Sequence, residues 1–91
     1  MENQHRKITG YRELSQEEID LINRIKALGE DANRLILDIN KHLITQNYAV
    51  GTEEYARSVL ATPYLWLEKG TRDIQVGLME ITRAVAQPTS F

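Results

Sequence analysis

Apolar residues recur at alternating steps of three and four over two long stretches of this chain. In the first stretch, Ile22, Ile25, Gly29, Ala32, Ile36, Ile39 and Leu43 form one row. In the second, Leu67, Thr71, Ile74, Leu78, Ile81 and Val85 form another. This spacing is a helical heptad seam, not the every-other-residue pattern of a strand. It predicts helices over 16–46 and 63–87. Leu21, Leu28 and Leu35 add a second apolar row beside the first seam. Gly70, Gly77 and Ala84, seven apart, form a stripe of small residues along the second helix, where a neighbour can approach closely. Gly29 in mid-helix costs about 1 kcal/mol against alanine. Beside Ala32, it marks a place where another backbone or a ligand comes close.

Polar punctuation divides the rest. Residues 1–14 read as an arm with a turn at Thr9-Gly10 and positive charge at Arg6, Lys7 and Arg12. Ser15 followed by Glu18 fits a capping box, and Leu14 before the cap is placed to pack on Ile19 as a staple. Residues 47–52 are a turn broken by Gly51. Thr52 is a cap for the next helix, with Glu53 and Glu54 suiting the positive end of its dipole. Residues 53–61 form a short helix or a kinked first part, because Thr62-Pro63 is a restart signal: Thr62 as cap, Pro63 in the first turn. Pro88 ends the last helix and leaves a tail, 88–91. Asp20 with Arg24 and Glu30 with Arg34 are spaced as i,i+4 ion pairs. The prediction is a single all-α domain, 1–91: an arm followed by a helical hairpin of two long amphipathic helices.

Two such helices show more apolar face than either covers on the other. At about 25 cal/mol per Å², leaving the leucine row and Trp66 wet forfeits several kcal/mol. A domain is stable by only about 5–15 kcal/mol. Symmetric self-association covers that surface most simply, so the chain is expected to form a homo-oligomer. Trp66 lies off the main seam and suits either a second contact surface or a core beneath the 47–62 region.

Composition narrows the function. The chain has 91 residues, no cysteine and a net charge of −2. No disulfide or thiolate metal site is available, which fits a reducing cytoplasm. No apolar run approaches the roughly 20 residues that cross a bilayer, and the charged first residues do not read as a secretion signal. A mildly acidic chain is a poor coat for long nucleic acid, whereas a small anion needs only a local positive pocket. His5 and His42 lack a metal-ligand spacing partner, so no metal or other cofactor is expected. Ser15 and Ser58 lack a neighbouring base, and Glu17, Glu18 and Asp20 are explained by the helix dipole. No catalytic residue emerges, and an enzyme is not expected.

Tyr11 and Lys26 stand out as a pair. Tyr11 offers a flat face for a base to stack on, and Lys26 a charge for a phosphate. The helix from Ser15 to Lys26 alone spans about 16 Å, so one small ligand meets both more easily between two chains than within one. Lys26 flanks the seam, where a neighbouring helix would meet it. Arg72, beside Gly70 and Thr71, is a second candidate, and Arg12 on the arm a companion to it. Ordinary surface charge fits the same spacing, and residues alone stop at an oligomeric helical hairpin.

The opening HRKITGYRELSQEEIDLINRIKALGE and the closing GTRDIQVGLMEITRAVAQPTSF resemble the phage anti-CBASS cyclic-oligonucleotide sponges, whose helical-hairpin domain is shared with some anti-Thoeris sponges. The most specific pieces are GYRELSQEEIDL and RAVAQPTSF. The resemblance implies a homohexamer in the cytoplasm of the infected bacterium. It implies binding of cyclic dinucleotides such as 3′,3′-cyclic GMP–AMP (3′,3′-cGAMP) without cleavage, so that a bacterial immune effector is starved of its messenger. It assigns Tyr11 and Lys26 to the dinucleotide pocket between protomers. For cyclic trinucleotides it implies separate pockets where three protomers meet, with Arg72 and Arg12 as the residues in question. The position of Arg72 departs from similar sequences, which often carry threonine there, and Ala27-Leu28 stands where a polar residue is expected after Lys26. The rival expectation is a helical protein-interaction module that inhibits a host protein through Trp66 and the leucine row.

Overall fold

The computed structural model describes residues 13–89. They are helical throughout apart from caps and turns: α1 (Gln16–Thr45), α2 (Glu53–Ala61) and α3 (Pro63–Ala86). No strand occurs among the described residues.

α1 begins where the capping box places it. The Ser15 hydroxyl accepts from the Glu18 amide at 3.2 Å, and the Glu18 carboxylate accepts from the Ser15 amide at 2.8 Å. Two of the amides that a helix start leaves without partners are thereby satisfied. At α2 the Thr52 hydroxyl accepts from the Tyr55 amide at 3.1 Å and donates to the Ala49 carbonyl at 2.7 Å. Gly51, at φ 95°, makes the turn before it.

Thr62 departs from expectation. It sits in the left-handed region (φ 42°, ψ 58°), and its side chain caps nothing. A side-chain cap needs extended backbone at that position to aim the hydroxyl along the helix. At Thr62 the backbone carbonyl takes over, accepting from the Leu65 amide at 3.1 Å. Pro63 still opens α3. Gln87, also left-handed, closes it, its backbone N–H donating a hydrogen bond to the Arg83 carbonyl at 2.7 Å.

α1 and α3 pack side by side and run in opposite directions. Ile25 shares a groove with Leu78 and Ala86, whereas Ile36 and Asn40 share one with Leu67 and Thr71. Gly29 packs against α3: a Cβ built there would stand 3.2 Å from Leu78 Cδ1. The close neighbour at this glycine is therefore a side chain of α3. Thr71 and Thr82 turn their hydroxyls back to the carbonyls of Leu67 (2.7 Å) and Leu78 (2.8 Å). That use of the hydroxyl proton lets a threonine sit on a packed helix face.

The α1 seam drifts from the heptad prediction. Asn40 is half-buried, whereas Ile39 is 38% exposed. A straight helix gains about 20° per heptad on a 3.5-residue repeat. Five turns from Ile22 therefore arrive at Asn40 and not at Ile39. The expected ion pairs shift too. Arg34 pairs with Asp31, three residues before it, and Asp20 accepts from Gln16 Nε2 at 2.9 Å.

The packed pair leaves much of its apolar surface wet. No described residue is buried. Leu21, Leu28 and Leu35 are all exposed, Leu28 by 56%. The helix α2, with the turn before it, is an excursion from the end of the pair and does not form a packed layer with α1 or α3. Leu60 is 84% exposed and Trp66 62%. In the single chain Trp66 is therefore not a core residue beneath the 47–62 region. The molecule is long and thin, 65 × 22 × 16 Å.

Candidate functional site

The contact line between α1 and α3 has two flanks, and their chemistry differs. On one flank a groove is lined by Leu21, Ile25, Leu28, Ile81, Ala84 and Val85, with Arg24 and Asp31 at its rim. The leucine row of α1 here faces the small-residue side of α3. A Cβ built at Gly70 or Gly77 meets nothing within 4 Å, so the stripe is open in the single chain.

Two grooves lie on the other flank. The first is floored by Ile25, Leu78 and Ala86 and bordered by Lys26 and Arg83. Met79 and Thr82 complete it, and no carboxylate lines it. The second is lined by Leu37, Asn40, Tyr64, Glu68, Arg72 and Gln75, among others. Arg72 reaches Glu68 at 3.3 Å, an exposed i,i+4 pair. Arg72 and Arg83 are eleven residues apart, about three helical turns, so both point to the same flank.

Lys26 and Arg72 thus share a flank and do not converge. The eleven α1 residues from Lys26 to Leu37, which lines the Arg72 groove, span about 16 Å. One small ligand on one chain does not touch both. Arg83 was not singled out by sequence spacing, yet it stands across the groove from Lys26. The signal was present: an antiparallel register that sets Gly29 against Leu78 also sets Lys26 beside Thr82 and Arg83. Tyr11 and Arg12 lie outside the described residues. No cluster of histidine, cysteine and carboxylate suited to a metal occurs among the described residues. No described helix is long and apolar enough to cross a membrane.

A cationic groove with an apolar floor, on a chain whose other flank is apolar and uncovered, can be set beside known proteins. No family model matches the chain. A protein of Pseudomonas phage JBD67, anti-CBASS protein 2, is 40% identical to it over 97% of this chain and 97% of its own length. The chain belongs to the anti-CBASS protein 2 family. The alignment spans nearly all of both proteins, so it covers both ends that carry the resemblance as well as residues 45–65, which carry none of it.

Proposed function

We propose that this chain is a phage sponge that binds cyclic dinucleotide messengers of bacterial antiphage signalling and holds them intact. The family relationship supports action against CBASS, whose signals are cyclic oligonucleotides. The observation that carries the binding half is the Lys26 groove: a cation beside an apolar floor, with no acid in its lining. An ordinary solvated surface charge would not need that floor. A purine ring covers it, and Lys26 takes a phosphate. Tyr11, from a neighbouring copy, supplies the stacking face.

Self-association is part of the proposal. The groove encloses about 380 Å³, at the low end of the roughly 300–1,000 Å³ typical of small-molecule sites. It is an open trough, and a second wall from another copy would close it around a dinucleotide. The uncovered leucine flank supplies the drive for that assembly, a homohexamer by family resemblance. The groove's lining holds no carboxylate, histidine or cysteine, which suits sequestration over hydrolysis. Trinucleotide binding at Arg72 and Arg12 has less behind it, because Arg72 already has Glu68 as a partner.

Calorimetry with 3′,3′-cyclic GMP–AMP tests the reading on the wild type and on Tyr11→Ala and Lys26→Ala. Heat from the wild type and its loss in both variants is the expected result. No wild-type heat, or unchanged binding by both variants, overturns it. Intact nucleotide recovered after proteinase treatment marks a sponge, and linear product marks a hydrolase.

A further inference from the structure

On α1 the row Leu21, Leu28 and Leu35 lies about a quarter turn around the helix from the face that packs on α3. On α3 the stripe Gly70, Gly77 and Ala84 lies about a quarter turn from its own packed face. Both rows sit on one flank, where Leu21, Leu28 and Ala84 line a common groove. A helix in a four-helix bundle touches two neighbours, set about a quarter turn apart. Each helix of this pair therefore has one neighbour present and room for one more, and both open directions point the same way. A second copy of the pair fills both at once.

Charge decides how that copy is oriented. Arg24 and Asp31 are seven residues apart, so they share one edge of the leucine row, the edge away from α3. Both line the groove. A parallel twofold pairing sets that edge against the α3 side of the second copy, where Ile81 and Ala84 stand. An antiparallel twofold axis through Leu28 instead turns α1 end for end and lays the charged edge beside its own copy. Leu21 then faces Leu35 of the second copy. Arg24 falls within one residue of the second copy's Asp31, about 1.5 Å along the axis. Symmetry repeats that contact on the other side of Leu28. In the single chain Asp31 pairs with Arg34, but the pair is exposed on both sides and so weak, and a carboxylate accepts from more than one cation. On α3 the register agrees. Gly29 faces Leu78, so Leu28 is level with Met79, and the same axis sets Gly77 opposite Ile81 of the second copy. A Cβ at Gly77 meets nothing within 4 Å, which leaves room for that side chain.

We propose that the leucine flank is a twofold interface between copies of this chain, an antiparallel four-helix bundle with Leu28 on the axis and Arg24 paired with Asp31 of the second copy. This rests on the self-association in the reading above and deepens it by naming the surface, the orientation and the register. Lys26 lies on the other flank, so the bundle leaves both ligand grooves on its outer faces, and the interface is testable without ligand.

The chain has no cysteine, so introduced thiols report position cleanly. Under mild oxidation Leu28→Cys is expected to give a disulfide-linked dimer on a non-reducing gel, because the two positions meet on the axis. Leu21→Cys and Leu35→Cys should each stay unlinked alone, their like positions lying about 21 Å apart, and should link to one another when co-expressed. Sedimentation equilibrium of Arg24→Asp and of Asp31→Arg should show association weakened about ten- to hundredfold at low salt. Arg24→Asp combined with Asp31→Arg should recover most of that loss. Self-linking of Leu21→Cys and of Leu35→Cys without a mixed product overturns the antiparallel register. Unlinked Leu28→Cys in a protein that still sediments as an oligomer overturns the interface and leaves the sponge reading standing. A double charge variant as weak as the single ones overturns the pairing of Arg24 with Asp31. Linked Leu28→Cys in a protein whose wild type gives no heat with 3′,3′-cyclic GMP–AMP supports the interface and overturns the sponge reading instead.

Discussion

The two flanks of the α1–α3 pair use the same helices for opposite ends. One carries Leu21, Leu28, Ile81 and Ala84, with Arg24 and Asp31 of opposite charge beside them. The other carries Lys26, Arg72 and Arg83 over short apolar floors. Water penalises the first flank in proportion to its area. The second is wetted at its cations and apolar between them, which is the character of a small-ligand site. A helix shared between two such flanks can assemble through one and bind through the other. Function here follows from how the flanks differ: one is apolar and uncovered, the other sets cations beside apolar side chains.

The most forceful way to break this contrast is Leu28→Arg. If the leucine flank is covered by a second copy, the change forfeits about 1.5–3 kcal/mol of burial and places a charge in an apolar contact. Sedimentation velocity should then show loss of the assembled species, with loss of helical signal in dilute solution. On a flank that stays wet the same change would be nearly silent. Next comes Lys26→Ala on the cationic flank. Binding of the dinucleotide should fall about ten- to hundredfold while the sedimentation profile is unchanged, which separates the work of the two flanks.

Gly77→Ala gives a smaller effect with an informative sign. In the single chain the added methyl meets nothing within 4 Å, and helix propensity favours alanine by about 1 kcal/mol. If a neighbouring copy packs on the small-residue stripe, the methyl collides, and assembly weakens. The expected result is a lower melting temperature at assembling concentrations, and a higher one would mean that the stripe faces water. Smallest is Asp31→Asn at the rim. Its pair with Arg34 is exposed on both sides and contributes only about 0.2–1 kcal/mol. The melting temperature should scarcely move, and a large drop would show that the rim is buried in the assembly.

Local chemistry made parts of this molecule legible from the sequence. Ser15 and Glu18 form a reciprocal pair within four residues, and such a pair needs no tertiary partner to act. Thr52 caps α2 for the same reason. Thr62 resembled these two on paper, but the backbone must reverse between α2 and α3 there, and a left-handed residue turns its hydroxyl away from the helix start. Ile39 was misplaced because a seam counted in sevens ignores the drift of a straight helix, which delivers Asn40 instead. Arg34 chose Asp31 over Glu30 because both carboxylates lie within one helical turn of it. Arg83 went unnoticed because its significance depends on register between two helices. Once Gly29 is known to face Leu78, the position of Arg83 beside Lys26 follows. Tyr11 and Arg12, both on the arm, are beyond the described residues and rest on resemblance and residue chemistry.

Every functional step above requires that the uncovered leucine flank meet another copy of the chain. Sedimentation equilibrium of the wild type at micromolar concentration, with helicity followed alongside, tests that requirement most directly. A helical species at a multiple of the 10.5 kDa chain mass is the predicted result. A stable, fully helical particle of 10.5 kDa would contradict it.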